Sequence, residues 1–425
     1  MCKKIAHVFV HELFSKDIQM KHILTFVFTI TLSSLAIADT WTVSATGKAD
    51  FTTIQQAVNA ASDFDDVLVM PGTYTGSGSE VVDMLGKEIW LHSSDGPEVT
   101  IINGIDGLRG IVCDSGETSN TVIEGFTVTD CWSEGGSAMR IYDTSPTVKD
   151  CVFSNNNSWW QGAVMVFYGS PTFEGCTFRN NVVHDIWDEG EDDGGAIWAG
   201  SDASVTLSNC SFTENQSGRR GGAIYFKGSG LVALESCSFS LNASSRGGAV
   251  YLGSSDAYIS NCTFDANNAN VSNKLGGAIY LHNAYGSIDS CQFTNNHAKY
   301  GGAIYNSNST VVLANLEIHG NQATVLGGGI ETFGTFPNIN NSTICGNLPE
   351  QINGGWSDDG DNVVEDVCAP ACPSDISGDG VVNVTDILEL LSSWGEPTPH
   401  ADVNSDGIVD VLDLLELIGN WGACE

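Results

Sequence analysis

The sequence predicts an all-β solenoid of stacked parallel strands, followed by a small helical module with two cation-binding loops. Three observations carry this. A Gly-Gly-Ala-Ile/Val-aromatic motif recurs down the chain. A Cys-x-Phe motif, with an Asn five residues after the Cys, alternates with it. Two aligned acidic loops of twelve residues lie near the C-terminus.

The first motif occurs at Gly194–Trp198, Gly221–Tyr225, Gly247–Tyr251, Gly276–Tyr280 and Gly301–Tyr305, with a degenerate copy from Gly327. The second occurs at Cys151/Phe153/Asn156, Cys176/Phe178/Asn181, Cys210/Phe212/Asn215, Cys237/Phe239/Asn242, Cys262/Phe264/Asn267 and Cys291/Phe293/Asn296. Later copies at Asn321 and Asn347 keep the amide and lose the Cys. Successive cysteines are 25, 34, 27, 25 and 29 residues apart. A unit that short holds a few strands and turns and cannot bury its own apolar face. Stacked coils can, each adding a rung about 4.8 Å above the last. Cys and Phe two apart share a strand face, so both are expected to point inward. The fixed Asn spacing predicts a ladder of stacked amides at a turn where Asn tolerates left-handed geometry. Paired glycines suit a corner needing positive φ.

These motifs resemble pectin-lyase-like right-handed parallel β-helix proteins, in particular the repeats of polymorphic outer-membrane proteins, over roughly residues 40–365. The resemblance implies a right-handed parallel β-helix. It implies no single activity, because that fold carries lyases, hydrolases, esterases, adhesins and structural proteins. Residues 50–61 read as a Thr-capped amphipathic helix and residues 67–74 as the first strand and turn, together an N-terminal cap over an exposed sheet edge.

The chain of 425 residues is long enough for one large domain and one small one. It carries 16 Lys and Arg against 52 Asp and Glu, a net charge of −36, which argues against nucleic acid as a general partner and fits a calcium-rich extracellular medium. Lys21 and His22, an apolar stretch from Ile23, and Ala36-Ile37-Ala38 read as a signal peptide ending at residue 38, with Met20 an alternative start. The apolar run is too short to span a membrane. Cleavage removes four basic and two acidic residues, leaving 12 and 50. The expected organisation is residues 1–38 signal, 39–365 β-helix, 366–374 linker and 375–425 calcium module.

Six of the thirteen cysteines form the inward column, where parallel Cβ vectors favour buried thiols over disulfides. Cys113 and Cys131 are a candidate disulfide in an oxidising compartment, and Cys372 and Cys424 a candidate clasp of the C-terminal module.

The two loops supply oxygen side chains at positions 1, 3, 5, 9 and 12. They are Asp375, Ser377, Asp379, Asn383 and Asp386, then Asp402, Asn404, Asp406, Asp410 and Asp413. Gly380 and Gly407 stand at position 6, and a backbone carbonyl at position 7 completes the oxygen set that calcium prefers. Each loop runs into one apolar helix. With Asp at position 12, the pair is similar to type I dockerin modules, which implies two calcium ions, a cohesin-like or cell-surface protein partner and, often, a polysaccharide-degrading enzyme upstream. Positions 10 and 11 are Val384-Thr385 and Val411-Leu412 in place of the family's Ser/Thr pair, and no Lys or Arg follows residue 370.

Scarce cations locate a candidate ligand edge. Arg219, Arg220, Arg246, Lys274 and Lys299 all sit within three positions before a Gly-Gly corner, so stacking is expected to align them in one column. Trp198, Tyr225, Tyr251, Tyr280 and Tyr305 are expected to point outward beside them. A basic stripe along an aromatic one suits an acidic polysaccharide, with cations on carboxylates or sulfates and rings on sugar faces. The bland alternative is that rings stack on one another and cations offset acids. The acidic insertion from His184 to Asp193 lies at the same edge, with Trp159 and Trp160 one coil earlier. The sequence thus points to a secreted carbohydrate-binding β-helix, non-catalytic or adhesin-like. The alternative is a polysaccharide-degrading enzyme, either a uronan lyase with its base among Arg220, Arg246 and Lys274, or a glycoside hydrolase.

Overall fold

The computed structural model describes residues 38–423 except 106, 185–191, 270–273, 369–371, 373, 378–379, 396–400 and 405. The signal peptide, most of the acidic insertion, Asp379 and Cys424 lie outside the described residues.

The chain winds as a right-handed parallel solenoid with three long sheets. The first has 13 strands, from Thr40–Val43 to Ser357–Asp358. The second has 12, from Gly72–Tyr74 to Val363–Glu365. The third has 11, from Glu80–Asp83 to Ile352–Asn353. A single coil shows the path: Thr147–Lys149 in the first sheet, Val152–Ser154 in the second, Asn157–Gln161 in a short side sheet, then Val164–Phe167 in the third. Strand Thr40–Val43 precedes the helix and pairs with Asp66–Val69, so the strand expected to open the solenoid is its second. Four residues were too short a run to be read as a strand from their pattern. Helix α1 (Ile54–Ala60) buries Ile54, Ala57 and Val58 on the opening coils, and Thr53 caps it by accepting from the Gln56 amide. Lys87 satisfies its last carbonyls, donating to Val58, Asn59 and Ala61.

The core follows from the second motif. Phe153, Phe178, Phe212, Phe239, Phe264 and Phe293 pair in register between coils and are buried, with ring centroids 4.7 to 5.0 Å apart. That spacing is the rung repeat itself, so stacking and strand pairing reinforce one another. The six column cysteines are buried free thiols. Cys113 and Cys131 are free as well, which corrects the expected disulfide. Cys113 ends a strand of the third sheet, whereas Cys131 opens the amide ladder, its backbone N–H donating to Asn156. The disulfide among described residues is Cys345–Cys368, which ties the segment after the last strand back to the solenoid. Cys372 is also disulfide-bonded.

The Asn column forms the expected ladder, with one difference. Each ladder amide donates to the next one's carbonyl oxygen at 2.9 to 3.0 Å, from Asn156 through Asn347, and Gln351 accepts from the last. The left-handed residue is the one before the ladder Asn: Asn155, Asn180, Glu214, Leu241, Ala266 and Asn295. A ladder Asn must turn its side chain inward, and the reversal in its neighbour achieves that. In the Gly-Gly corners the two glycines answer different demands. The first has φ between +62° and +67°. The second lies against the next coil: a Cβ on Gly222 would sit 2.1 Å from the Gly248 carbonyl oxygen.

The C-terminal module holds α2 (Val384–Ser392) and α3 (Val411–Gly419) around Ile376, Val382, Leu390, Val409 and Leu417. No described helix is long and apolar enough to cross a membrane.

Candidate functional sites

The outer face of the third sheet is built by strand alternation. In Ile-Tyr-Leu of Gly276–Leu281, Ile279 and Leu281 enter the core, and Tyr280 points outward. Register aligns Met165, Trp198, Tyr225, Tyr251, Tyr280, Tyr305 and Glu331 in one outer column, and Phe167, Gly200, Lys227, Gly253, His282 and Ser307 in the next.

The aromatic column leaves the core as expected, and its rings stack on one another. Trp198, Tyr225, Tyr251 and Tyr280 are 8, 4, 4 and 7 % exposed and form a cluster of their own. Their planes stack between coils, at 5.2 Å for Tyr251–Tyr280 and for Tyr280–Tyr305. The faces of Trp198, Tyr225, Tyr251 and Tyr280 lie against neighbouring rings, and Tyr305 ends the stack with Glu331 beyond it. Burial pushes the Tyr251 and Tyr305 phenols up.

The five cations fall in two neighbouring registers, which corrects the expected single column. Asp193, Arg220, Arg246, Leu275 and Tyr300 form one ladder, immediately before the glycines. Arg219, Lys274 and Lys299 stand one residue earlier, outside that ladder. Lys299 lies over Tyr300, at 5.2 Å. Arg220 grips Asp193 with Nε at 2.8 Å and Nη2 at 2.5 Å, and its guanidinium lies 4.6 Å over Tyr225 and 5.4 Å over Tyr251. Burial works against its charge, but the Asp193 carboxylate outweighs it and the pKa rises. Arg220 therefore holds its proton and is unsuited to the role of base. Arg246 differs: its Nε is buried without a hydrogen-bond partner.

Three residues that the sequence reading did not single out complete this face. Lys227 and His282 both occupy the seventh position of the Gly-Gly motif, a regularity that could have flagged them. Burial lowers the His282 pKa, helped by the charges of Arg246, Lys227 and Arg220. Glu331 continues the tyrosine column. Its pKa is raised by burial, Asn353 opposing by donating at 2.9 Å, with the Glu350 charge adding to the rise. Of the acidic insertion, Asp193 is the partner of Arg220, and the Asp192 carbonyl accepts from the Arg219 amide. Trp159 packs edge-on against Trp132 at 5.0 Å.

The two C-terminal loops share a set of corresponding hydrogen bonds. Asp375 accepts from Gly380 and Asp402 from Gly407, at 2.7 and 2.8 Å. Asp386 accepts from Ser377 and Asn383, and Asp413 from Asn404 and Asp410. Gly380 and Gly407 have φ of +82° and +97°, the sharp turn such a loop requires. Asn383 and Asp410 cap α2 and α3 in capping boxes with Asp386 and Asp413. Among the described residues no three His, Cys, Asp or Glu side chains converge as a metal cluster. The loop carboxylates are turned onto backbone N–H groups, which leaves further lone pairs on each oxygen. The donor set, all hard oxygen, fits calcium.

Comparison with known proteins places both halves. A right-handed β-helix region matches residues 72–194 and 159–315, and a dockerin type I domain matches residues 373–421. Among solved structures, a pectin methylesterase from carrot shares 15 % identity over 79 % of this chain and 90 % of its own, with a TM-score of 0.30. A rhamnogalacturonan lyase shares 12 % over 90 % of this chain and 99 % of its own, with a TM-score of 0.32. No curated protein matches the chain. Dockerin type I domains bind calcium. The chain belongs to the right-handed β-helix family and carries a type I dockerin domain at its C-terminal end.

Proposed function

We propose that this is a secreted, non-catalytic protein that binds extracellular carbohydrate along the outer face of the third sheet. Its dockerin domain, with one calcium ion in each loop, would attach it to a cohesin or another cell-surface protein. The observation that carries this reading is the placing of Arg246 and Lys227, neither in an ion pair among the described residues, beside the stacked rings of one face of a chain whose net charge is −36. Such a face attracts an acidic polymer, whose successive units can follow the rungs.

The ligands proposed for calcium are Asp375, Ser377, Asp379, Asn383 and Asp386 in the first loop, and Asp402, Asn404, Asp406, Asp410 and Asp413 in the second. Val384, Leu388, Leu391 and Trp394 are exposed along α2 and just beyond it. Val411, Leu415, Ile418 and Trp421 repeat them at the same loop positions along α3. Exposed apolar side chains in that number support a docking role.

Asp193 and Glu331 do not make a glycoside hydrolase pair: they are five rungs apart, about 24 Å at the strand spacing, against the roughly 5–9.5 Å such a pair needs. One observation favours the enzymatic alternative: Glu331 is a buried carboxyl with a raised pKa beside Glu350, as a general acid would be. The deciding experiment incubates the full chain, with calcium, on uronic-acid, sulfated and neutral polysaccharides. Retardation in affinity gels without new reducing ends or unsaturated uronate absorbance supports binding alone. New reducing ends without unsaturated uronate, lost in Glu331→Gln, establish the hydrolase, unsaturated uronate a lyase, and no retardation by any polymer removes the proposed function.

A further inference from the structure

Near its N-terminal end the first sheet carries an exposed indole that the fold holds in one orientation. Strand alternation turns Val67, Val69 and Leu91 into the core and Asp66, Trp90 and His92 outward. Trp90 is 43 % exposed. His92 stacks on one face of its ring, with centroids 3.8 Å apart and planes 11° apart. The indole Nε1–H donates to Glu124 on the next coil at 3.0 Å. Asp66, on the coil before, fixes His92 at 2.6 Å, and Thr40 donates to the same carboxylate. The Trp90 face away from His92 meets no other ring or cation among the described residues.

Phe64 stands close by. Its N–H donates to the Glu88 carbonyl, and the carbonyl of the following residue, Asp65, accepts from the Trp90 amide at 3.1 Å. Phe64 is 62 % exposed and has φ of +70°. An aromatic residue in left-handed backbone is strained, where glycine would not be. A strained, exposed ring adds little to the core, and such outliers gather where a ligand is held.

Charge selects among ligands. Asp63, Asp65, Asp66, Glu88 and Glu124 all belong to this corner. The nearby cations are committed elsewhere. Lys87 donates to carbonyls at the end of α1, and Lys149, in register with Glu124, pairs with Glu174 at 2.8 Å. An acidic polymer is therefore repelled here, whereas carboxylates beside a ring accept the hydroxyl protons of an uncharged sugar lying on it.

We propose that Trp90 and Phe64 form a second carbohydrate site, a subsite for an uncharged pyranose. The apolar face of the sugar stacks on the Trp90 face away from His92, and its hydroxyls donate to Glu124. Asp66 and His92 position the indole. This site lies on a different sheet from the acidic-polymer face of the proposed function and does not depend on it.

The test is retention of the full chain, with calcium, in affinity gels holding hydroxyethylcellulose, galactan, arabinoxylan or polygalacturonate. At least one neutral polymer is expected to retain the wild type. Trp90→Ala is expected to weaken that retention by roughly tenfold, and Trp90→Phe to keep most of it. Phe64→Gly relieves the backbone, so its melting temperature is expected to stay at or above that of the wild type while retention falls about threefold. Phe64 is exposed, so this variant reports even if Trp90→Ala folds poorly. Loss of stability with full retention in Phe64→Gly marks packing alone and overturns the subsite, as does a wild type that no neutral polymer retains. If polygalacturonate is still retained in that case, the proposed function stands without the subsite. If only neutral polymers are retained, and Trp90→Ala releases them, the subsite stands and the third-sheet face falls.

Discussion

Arg220 on one coil holds both carboxylate oxygens of Asp193 on the coil before it, and the same guanidinium covers Tyr225. The carboxylate is 1 % exposed and the guanidinium 11 %. The pair joins two rungs beside the longest insertion, so its loss should be felt by stability first. Asp193→Asn, which strands a buried guanidinium, is expected to destabilise the solenoid by about 3–5 kcal/mol. The double change Asp193→Leu with Arg220→Met should cost much less, because neither leaves a charge behind. Chemical denaturation of the three proteins checks this, and equal losses for single and double variants would count against a charge-pair explanation.

The amide ladder makes a sharper demand. Asn242 donates to the Phe212 carbonyl and to Asn267, and accepts from the Asn215 backbone and side-chain amides, all at about 3.0 Å and all buried. Asn242→Ala leaves several of these groups unsatisfied and is expected to cost about 3 kcal/mol or more. Leu241→Ala on the adjacent exposed residue should cost well under half as much. Thermal unfolding would show the contrast.

His282 should make stability depend on pH. Its folded pKa is depressed by burial and by Arg246, Lys227 and Arg220, so the unfolded chain takes up the proton first. Without an added anion, its stabilising contribution is present above the unfolded value of about 6.5 and is lost as pH falls through that value towards the folded one. His282→Asn should remove that component. A pH–stability curve unchanged between wild type and variant would exclude this role.

Calcium should govern the C-terminal domain. Chelation is expected to lower the temperature of its unfolding transition in the full chain while leaving the solenoid transition in place, and Asp402→Ala should reproduce part of the shift. Acid should act on the same loops. Burial alone would raise the Asp386 and Asp413 pKa values, but backbone donors from Ser377, Asn383, Asn404 and Asp410 hold them below the ordinary carboxylate value. Their contribution is complete above the unfolded pKa near 3.9 and disappears as pH falls through the lower folded values. Calorimetry with and without chelator, at neutral pH and at pH about 3, checks both.

The sequence by itself determined the architecture, because each motif states a steric or hydrogen-bonding need that recurs at one spacing. Phe in each Cys-x-Phe copy fills a core layer, Asn builds the ladder, and two glycines permit the corner. It also determined the two dockerin loops, whose oxygen side chains and turn residues Gly380 and Gly407 are local in the chain. Only the tertiary structure decided the face. Whether Tyr251 presents its ring or hides it depends on the rung above, and Tyr280 occupies that space. Whether Arg220 is free depends on Asp193, 27 residues away. Cys345 found Cys368 rather than a column neighbour because its side chain stands outside the inward register. Lys227 and His282 share one outer register, two rungs apart with Gly253 between them, an alignment created by coil stacking. Periodic pattern specifies which way a strand faces; which side chains meet on the outside is set by register between coils, and that is a property of the folded solenoid alone.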